Sequence, residues 1–525
     1  MATPNGLPRR TFLKALAAGA AGAALGRTNG AAAEAAAPAI SGPFQPAWPS
    51  LAAHAMPEWL VDAKFGIYAH WGLYAVPAFG NEWYAKRMYE KGNAIYKFHV
   101  EKYGDPSKFG YKDFVPLFKA ERYDPDAWAA LIASSGARYA GLAAVHHDGF
   151  LLWDSAHSRW NAKQMGPKRD LYGDLAAALR RRGLKVLATE HHFRTFNWYL
   201  PGADGLGVIK DLAKTTALVR DAGYDLADPK CGDLYWNEVA GRTYADFLVE
   251  WQAKVRELID KYQPDVFWFD GGDFRGKAAE KVVLDLLAHY HNRAAAGGKP
   301  VEVLNKLGGN GRWNFDEAYG IYTFEEGRDR PARVDRPWID DMKISDVGWG
   351  YLEGQKYKAA AEVLHGLIDR TARGGGLLLN LSPKPDGTIP DAQQAVLRQV
   401  GAWLKASGEA VFATRPWAVY AEGDEAHLHR GRFWVFDKCT AADIRFTQSK
   451  DGKAVYVTCL GTPTADVRVK SLGKSSPHAA RPVAAVTLLG SADAVPWSQE
   501  ADALVIKAGG LHPPCPEAAA FKVTF

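Results

Sequence analysis

Short apolar runs recur through the middle of this chain with helical patterns between many of them, and that alternation is its most constraining feature. The runs are Phe65–Tyr68, Tyr139–Val145, Lys185–Thr189, Val266–Phe269, Val301–Leu304, Gly320–Phe324, Met342–Ile344 and Leu377–Leu381. Amphipathic stretches fall at Tyr172–Arg182, Tyr244–Tyr262, Ala278–Tyr290 and Lys356–Arg373. Strand followed by helix, repeated, means a parallel sheet covered on both faces. The number of runs, counted to within one or two, favours a closed (β/α) barrel over an open doubly wound sheet. The fold class expected is therefore α/β, a TIM-like barrel. After the helix Asp391–Ser407 the texture changes to short alternating stretches separated by Gly, Asp and Lys turns, such as Ile444–Gln448 and Ala454–Leu460. These read as a C-terminal antiparallel β-sandwich. The expected division is residues 1–40 as a signal and linker, 41–410 as barrel and 411–525 as sandwich.

Almost every apolar run ends in polar and aromatic residues: Ala69-His70-Trp71-Gly72, His146-His147-Asp148-Gly149, Glu190-His191-His192, Asp270-Gly271-Gly272, Asn305-Lys306 and Glu325-Glu326. A barrel gathers its strand C-termini at one mouth, so these clusters should line one pocket. Asp270 follows Val266-Phe267-Trp268-Phe269 and precedes two glycines, which would project a carboxylate from a buried strand into that pocket. Several of the 18 tryptophans stand beside charged residues near strand ends, among them Trp71, Trp83, Trp268, Trp313, Trp338 and Trp349. Indole faces beside His, Asp and Glu suit a sugar, which offers an apolar C–H face and a ring of hydroxyls. The pairs His146-His147 and His191-His192 do not have the spacing of chelating ligands, because neighbours on a strand point to opposite faces. Hydroxyl binding by one member and packing by the other is the better reading.

The N-terminus is a separate matter. Arg9-Arg10-Thr11-Phe12-Leu13-Lys14 precedes an Ala/Gly/Leu stretch of about 14 residues, too short to span a bilayer, and an Ala-rich cleavage region. This reads as a twin-arginine export signal, and the protein is expected in the periplasm or outside the cell. Cleavage near Ala33 removes Arg9, Arg10, Lys14 and Arg27 and no acid, so the formal charge of +5 drops to +1. The mature chain has no basic excess to recruit nucleic acid. No nucleotide fingerprint appears, no metal or cofactor is implied, and no membrane span is expected. Four cysteines, Cys231, Cys439, Cys459 and Cys515, show no zinc-ligand spacing; a Cys439–Cys459 disulfide is open in an oxidising compartment.

Several segments carry a resemblance. Lys64 to Gly72, Asn81-Glu82-Trp83-Tyr84, His146 to Phe150 with Leu152 to Ser155, Trp268-Phe269-Asp270-Gly271, Gly376 to Thr388, and Gly408-Glu409-Ala410 through Trp417 are similar, in order, to glycoside hydrolase family 29, the α-L-fucosidases. The resemblance implies a barrel with a β-sandwich and release of terminal α-linked L-fucose from glycans with retention. It implies Asp270 as nucleophile, and His70, Glu82, Trp83, His146 and His147 as the residues holding fucose hydroxyls. The third strand departs from the family's usual Tyr-Tyr with His191-His192, of which His192 is expected at the sugar. Asn305-Lys306-Leu307 stands where many relatives have Asn-Asp-Arg, and Trp338-Ile339-Asp340-Asp341 where they have Trp-Glu-Thr. The acid/base is expected at Glu325, with Glu326, Asp340 and Asp341 behind it. Two other readings stay open: an exo-glycosidase for a galactoside-like sugar, and a non-catalytic carbohydrate-binding barrel.

Overall fold

The computed structural model describes residues 40–525 except 271–275, 309–311, 329, 331–333 and 480, so the signal expected in residues 1–40 lies almost wholly outside the described residues, as do Gly271 and Gly272. Eight parallel strands close into a barrel: β1 (Phe65–Ala69), β2 (Tyr139–Val145), β3 (Lys185–Glu190), β4 (Val266–Phe269), β5 (Glu302–Lys306), β6 (Ile321–Glu325), β7 (Trp338–Lys343) and β8 (Gly375–Leu381). Strand β8 pairs back onto β1 with Phe65 opposite Leu377 and Ala69 opposite Leu381. Seven of the eight fall where the apolar runs predict them. The seventh begins earlier than the run Met342–Ile344, because Asp340 and Asp341 interrupt its hydrophobic signature.

Period 2 along these strands divides the core in two. Tyr68, Tyr139, Leu187, Val266, Trp268, Leu304, Ile321, Ile339 and Leu378 fill the barrel interior, and the short helix Glu58–Ala63 closes its floor with Leu60 and Ala63. Gly66 leaves room for Tyr139 on the neighbouring strand, since a Cβ there would lie 2.2 Å from the Tyr139 ring. Outward residues such as Phe267, Phe269, Val303 and Leu377 meet the surrounding helices. The helices begin at local signals. Asp124 accepts from the amides of Asp126 and Ala127 at the start of Pro125–Ser134, Asp170 from Gly173 before Leu171–Arg181, and Thr243 from Asp246 before Tyr244–Tyr262. Among the described residues no helix is long and apolar enough to cross a membrane.

C-terminal to the barrel the strands are β9 (Arg415–Glu422), the two-residue hairpin strands β10 (His429–Arg430) and β11 (Phe433–Trp434), β12 (Ile444–Gln448), β13 (Ala454–Cys459), β14 (Val467–Val469), β15 (Ala485–Leu488), β16 (Trp497–Gln499), β17 (Leu504–Ile506) and β18 (Ala519–Thr524). They form a five-stranded antiparallel sheet, β15-β18-β13-β12-β9, facing a three-stranded one, β14-β17-β16, across a core that includes Phe446, Val457, Phe521, Val469 and Ile506. The other face of the larger sheet is buried as well. Ala454 and Tyr456 join the outer core of the barrel, and Trp403 donates from its indole N–H to the Ala518 carbonyl at 2.9 Å. All four cysteines are free thiols, so Cys439 and Cys459 are not joined.

Candidate active site

The mouth of the barrel holds a cavity of about 290 Å³ lined by Tyr68, His70, Glu82, Trp83, His146, His147, Arg194, Asp270, Lys306, Gly308, Asn314, Glu325, Arg328, Asp341 and Trp349. A larger groove, about 520 Å³, runs over the helix Pro125–Ser134 and lacks this convergence of acids and imidazoles.

Alternation explains how the chemistry reaches the cavity. On β4, Val266 and Trp268 point inward, so Asp270 two residues on does the same. On β6 the inward set is Ile321, Thr323 and Glu325, and on β7 it is Ile339 and Asp341. Glu326 leaves the cavity: its backbone turns into the left-handed region at φ 51°, and its carboxylate pairs with Lys343 and, at 3.8 Å, with Lys358. Asp340 points outward to the helix Ala360–Ala372, where Arg370 Nε donates to it at 2.8 Å. Two of the four carboxylates weighed for the acid/base are therefore engaged elsewhere. Glu325 and Asp341, which face each other across the parallel pair, both stand at the cavity.

Lys306 organises the acids. Its ammonium lies 2.7 Å from Asp270 Oδ1 and 3.1 Å from Glu325 Oε2, above the Trp268 ring at 5.2 Å. Asp270 Oδ2 is 3.1 Å from His191 Nδ1, and Arg328 donates to Glu325 at 3.3 Å. Burial opposes ionisation of Asp270, but Lys306 and His191 outweigh it and hold the carboxyl well below the usual range. Glu325 follows the same pattern: burial raises it, Lys306 and Arg328 lower it further, and the net direction is down. Asp341 goes the other way. It is buried, takes a hydrogen bond from the Tyr68 hydroxyl at 3.1 Å and feels Glu325 and Asp270; burial and these charges prevail over Lys306 and push it well above the usual carboxylate range. Of the three carboxyls around Lys306, Asp270 and Glu325 are thus held toward the ionised form and Asp341 toward the protonated one.

Three imidazoles that line the cavity are held toward the neutral form. Burial, helped by neighbouring His191, brings His70 down to about 3, and His146 and His147 are also held well below the ordinary value, burial being the first cause for both. His70 Nδ1 donates to Asn380 Oδ1 at 2.7 Å, leaving Nε2 as an acceptor toward the cavity. Asn380 in turn donates to the Trp349 carbonyl at 2.7 Å. His147 Nδ1 donates to the His191 carbonyl at 2.5 Å. Glu82 accepts from the Trp349 amide at 3.0 Å and its carboxyl is raised by burial.

Several expectations change here. Both His146 and His147 line the cavity, because β2 ends at Val145 and the pair lies in the following turn, where strand alternation no longer applies. His192 does not reach it. That side chain points outward between barrel and helices, against Thr195 Oγ1 at 2.7 Å and the Phe247 ring, while His191 faces His70, His146 and Asp270. The inward set of β3, Leu187, Thr189 and then His191, carried that information; counting from the buried Leu187 selects His191. Of the tryptophans, only Trp83 and Trp349 line the cavity. Trp268 lies beneath it, Trp313 stacks on Tyr322 at 3.7 Å, and Trp71 is buried among Phe118, Tyr123 and Trp128.

A closed parallel barrel whose C-terminal mouth presents paired carboxylates, neutral imidazoles and indole walls is built as a barrel glycoside hydrolase. The comparisons narrow this. Residues 31–409 match the family model described as Alpha-L-fucosidase, and the chain belongs to that family. It is 30% identical over 465 residues to the tissue α-L-fucosidase of Rattus norvegicus, covering 87% of this chain and 86% of the relative. It is likewise 30% identical to the plasma α-L-fucosidase of Homo sapiens, over 86% of each chain. Among solved structures, the Thermotoga maritima α-fucosidase in complex with fucose superposes with a TM-score of 0.69 at 27% identity, covering 92% of this chain and all of that one.

Proposed function

We propose that this protein is an exported α-L-fucosidase that removes terminal α-linked L-fucose from glycans by double displacement with retention. The carrying observation is Lys306 held between Asp270 and Glu325: contacts of 2.7 and 3.1 Å from one ammonium leave the two oxygens less than about 6 Å apart, the spacing of a nucleophile and acid/base pair and short of the wider gap that admits water in inverting enzymes. Asp270, kept ionised, attacks the anomeric carbon. His70, His146 and His147, being neutral, exchange hydrogen bonds with ring hydroxyls, and Trp83 and Trp349 flank the apolar sugar face. Glu325 is the acid/base on position: its side chain is 22% exposed against 1% for the whole Asp341 residue, so it meets the leaving group on the open side. The protonated state of Asp341 favours a second assignment, in which Asp341 supplies the proton.

Azide separates these roles. Asp270→Ala abolishes turnover on every fucoside, and azide restores it with inversion. Loss of the true acid/base spares aryl fucosides with good leaving groups, cripples natural glycosides, and gives a retained azide adduct. Glu325→Ala is expected to behave this way; near-normal turnover of natural fucosides by Glu325→Ala, with the acid/base pattern in Asp341→Asn, transfers the role to Asp341. Release of galactose at a rate matching fucose from paired aryl glycosides would overturn the sugar assignment. Export rests on Arg9-Arg10-Thr11-Phe12-Leu13-Lys14. A double Arg9→Lys, Arg10→Lys variant should remain in the cytoplasm, and its normal export would reject the twin-arginine route.

A further inference from the structure

Three side chains with the chemistry of transition-metal ligands meet at the base of the β10–β11 hairpin, outside the catalytic cavity. His427 enters the hairpin, and Cys439 and Asp443 lie beyond it; a ligand atom from each lies within 4.8 Å of the other two. His427 Nε2 is shielded from solvent, makes no hydrogen bond and lies 3.4 Å from Asp443 Oδ1. That spacing is too long and poorly directed for a good hydrogen bond. It matches two ligands on one tetrahedral ion, which at 2.0–2.1 Å from the metal stand roughly 3.3–3.4 Å apart. The two oxygens of Asp443 have divided their tasks. Oδ2 accepts from the Thr440 amide at 2.7 Å and its hydroxyl at 3.3 Å, which orients the carboxylate and leaves Oδ1 toward His427. Nearby Arg445 does not oppose a cation, because its charge is met by Asp369 at 2.7 Å and Glu425 at 3.2 Å.

We propose that His427, Cys439 and Asp443 form a zinc site with water as fourth ligand. The donor set of one thiolate, one imidazole and one carboxylate suits zinc over magnesium or calcium, and binding releases the Cys439 thiol proton to solvent. On this reading, spacing along the chain does not reveal the site because the chain leaves for a hairpin between the first ligand and the second. The ion ties the two ends of that excursion. Its Trp434 donates from the backbone N–H to the Glu326 carbonyl at 3.3 Å, and its indole covers Gly327, where a Cβ would lie 2.7 Å from the ring. The hairpin therefore backs the turn that follows Glu325, and the metal stiffens that wall.

The test uses the full chain, treated with a chelator under a non-chelating reductant and then titrated with Co²⁺ and Zn²⁺. One equivalent of Co²⁺ should produce a thiolate-to-cobalt charge-transfer band that Zn²⁺ displaces, and zinc should raise the thermal midpoint. Cys439→Ser should lose the band and His427→Gln should weaken binding at least tenfold, both with unchanged circular dichroism. A metal held by His70, His146 and His191 at the barrel mouth gives no such band, since no sulfur is present there. Absence of the band in the natural protein, or its survival in Cys439→Ser, overturns the proposal. Should Cys439→Ser fail to fold, loss of the band in Asp443→Asn supports it and persistence rejects it. No sugar enters these measurements, so they stand or fall apart from the fucosidase reading.

Discussion

Lys306 decides the charge state of the site, and its replacement is the most informative single change. Removing the ammonium deprives Asp270 and Glu325 of their shared cation, so both carboxyls rise toward or above the ordinary range. Lys306→Met should therefore move the acidic limb of kcat/KM upward by about one to three pH units, the shift a close cation imposes on a carboxylate. A pH profile on an aryl fucoside checks it, and an unmoved acidic limb would show that Lys306 does not set the ionisation of Asp270. His191 and His192 should separate in the same way. His191→Phe removes the imidazole beside Asp270 and should lower kcat in a folded protein. His192→Phe should cost stability while sparing turnover per folded molecule, because His192 touches Thr195 and Phe247 and not the cavity.

At the level of elements, β7 carries two adjacent aspartates with opposite duties. Asp340 faces the helix Ala360–Ala372 and forms a fully buried pair with Arg370, with the Gly327 amide on its other oxygen at 2.9 Å. Breaking a buried pair by removing one charge strands the other, which costs on the order of 3–5 kcal/mol. Asp340→Asn should lower the urea midpoint by a corresponding amount and move the pH profile of the remaining folded enzyme only slightly, since Asp340 is the least of the charges that raise Asp341. Asp341→Asn should do the reverse, altering the alkaline limb, where a protonated carboxyl would otherwise ionise. Equal effects of the two changes on stability and on pH dependence would contradict this division. Gly66 gives a packing test on β1, since Gly66→Ala would place its Cβ within 2.2 Å of the Tyr139 ring and should cost about 1–3 kcal/mol as overpacking.

Across the whole molecule, one buried carboxylate couples barrel to sandwich. Asp369, on a barrel helix, takes Arg373 Nε at 3.0 Å and Arg445 Nε from β12 at 2.7 Å. Burial raises its pKa, but these arginines prevail and depress it. A carboxyl depressed in the folded state contributes stability above its unfolded value, about 3.9, and loses that contribution as pH falls through its folded value. Asp369→Asn should therefore be destabilised by about 3–5 kcal/mol near neutrality, and the gap to the natural protein should narrow below about pH 4. Urea midpoints at several pH values measure it; a gap constant down to low pH would mean that the charge is not what joins the two parts.

The residue pattern alone determined the barrel, because each strand's period and each helix's capping residue are local properties. Asp270 was legible for the same reason, as the inward step beyond a buried apolar run, and period 2 allowed only one of Glu325 and Glu326 to face inward. Alternation also selects His191 over His192, once the count starts from Leu187. What only the tertiary structure decided depends on what packs opposite. Nothing local distinguishes Asp340 from Asp341, or Glu325 from Glu326, until Arg370, Lys343 and Lys306 arrive from other elements. Asp270, Glu325 and Asp341 differ in their pull toward protonation because Lys306 on β5 reaches the first two while Asp341 lies buried beside their charges. Charge state is set by distance through space, and the spacing of residues along the chain does not encode it.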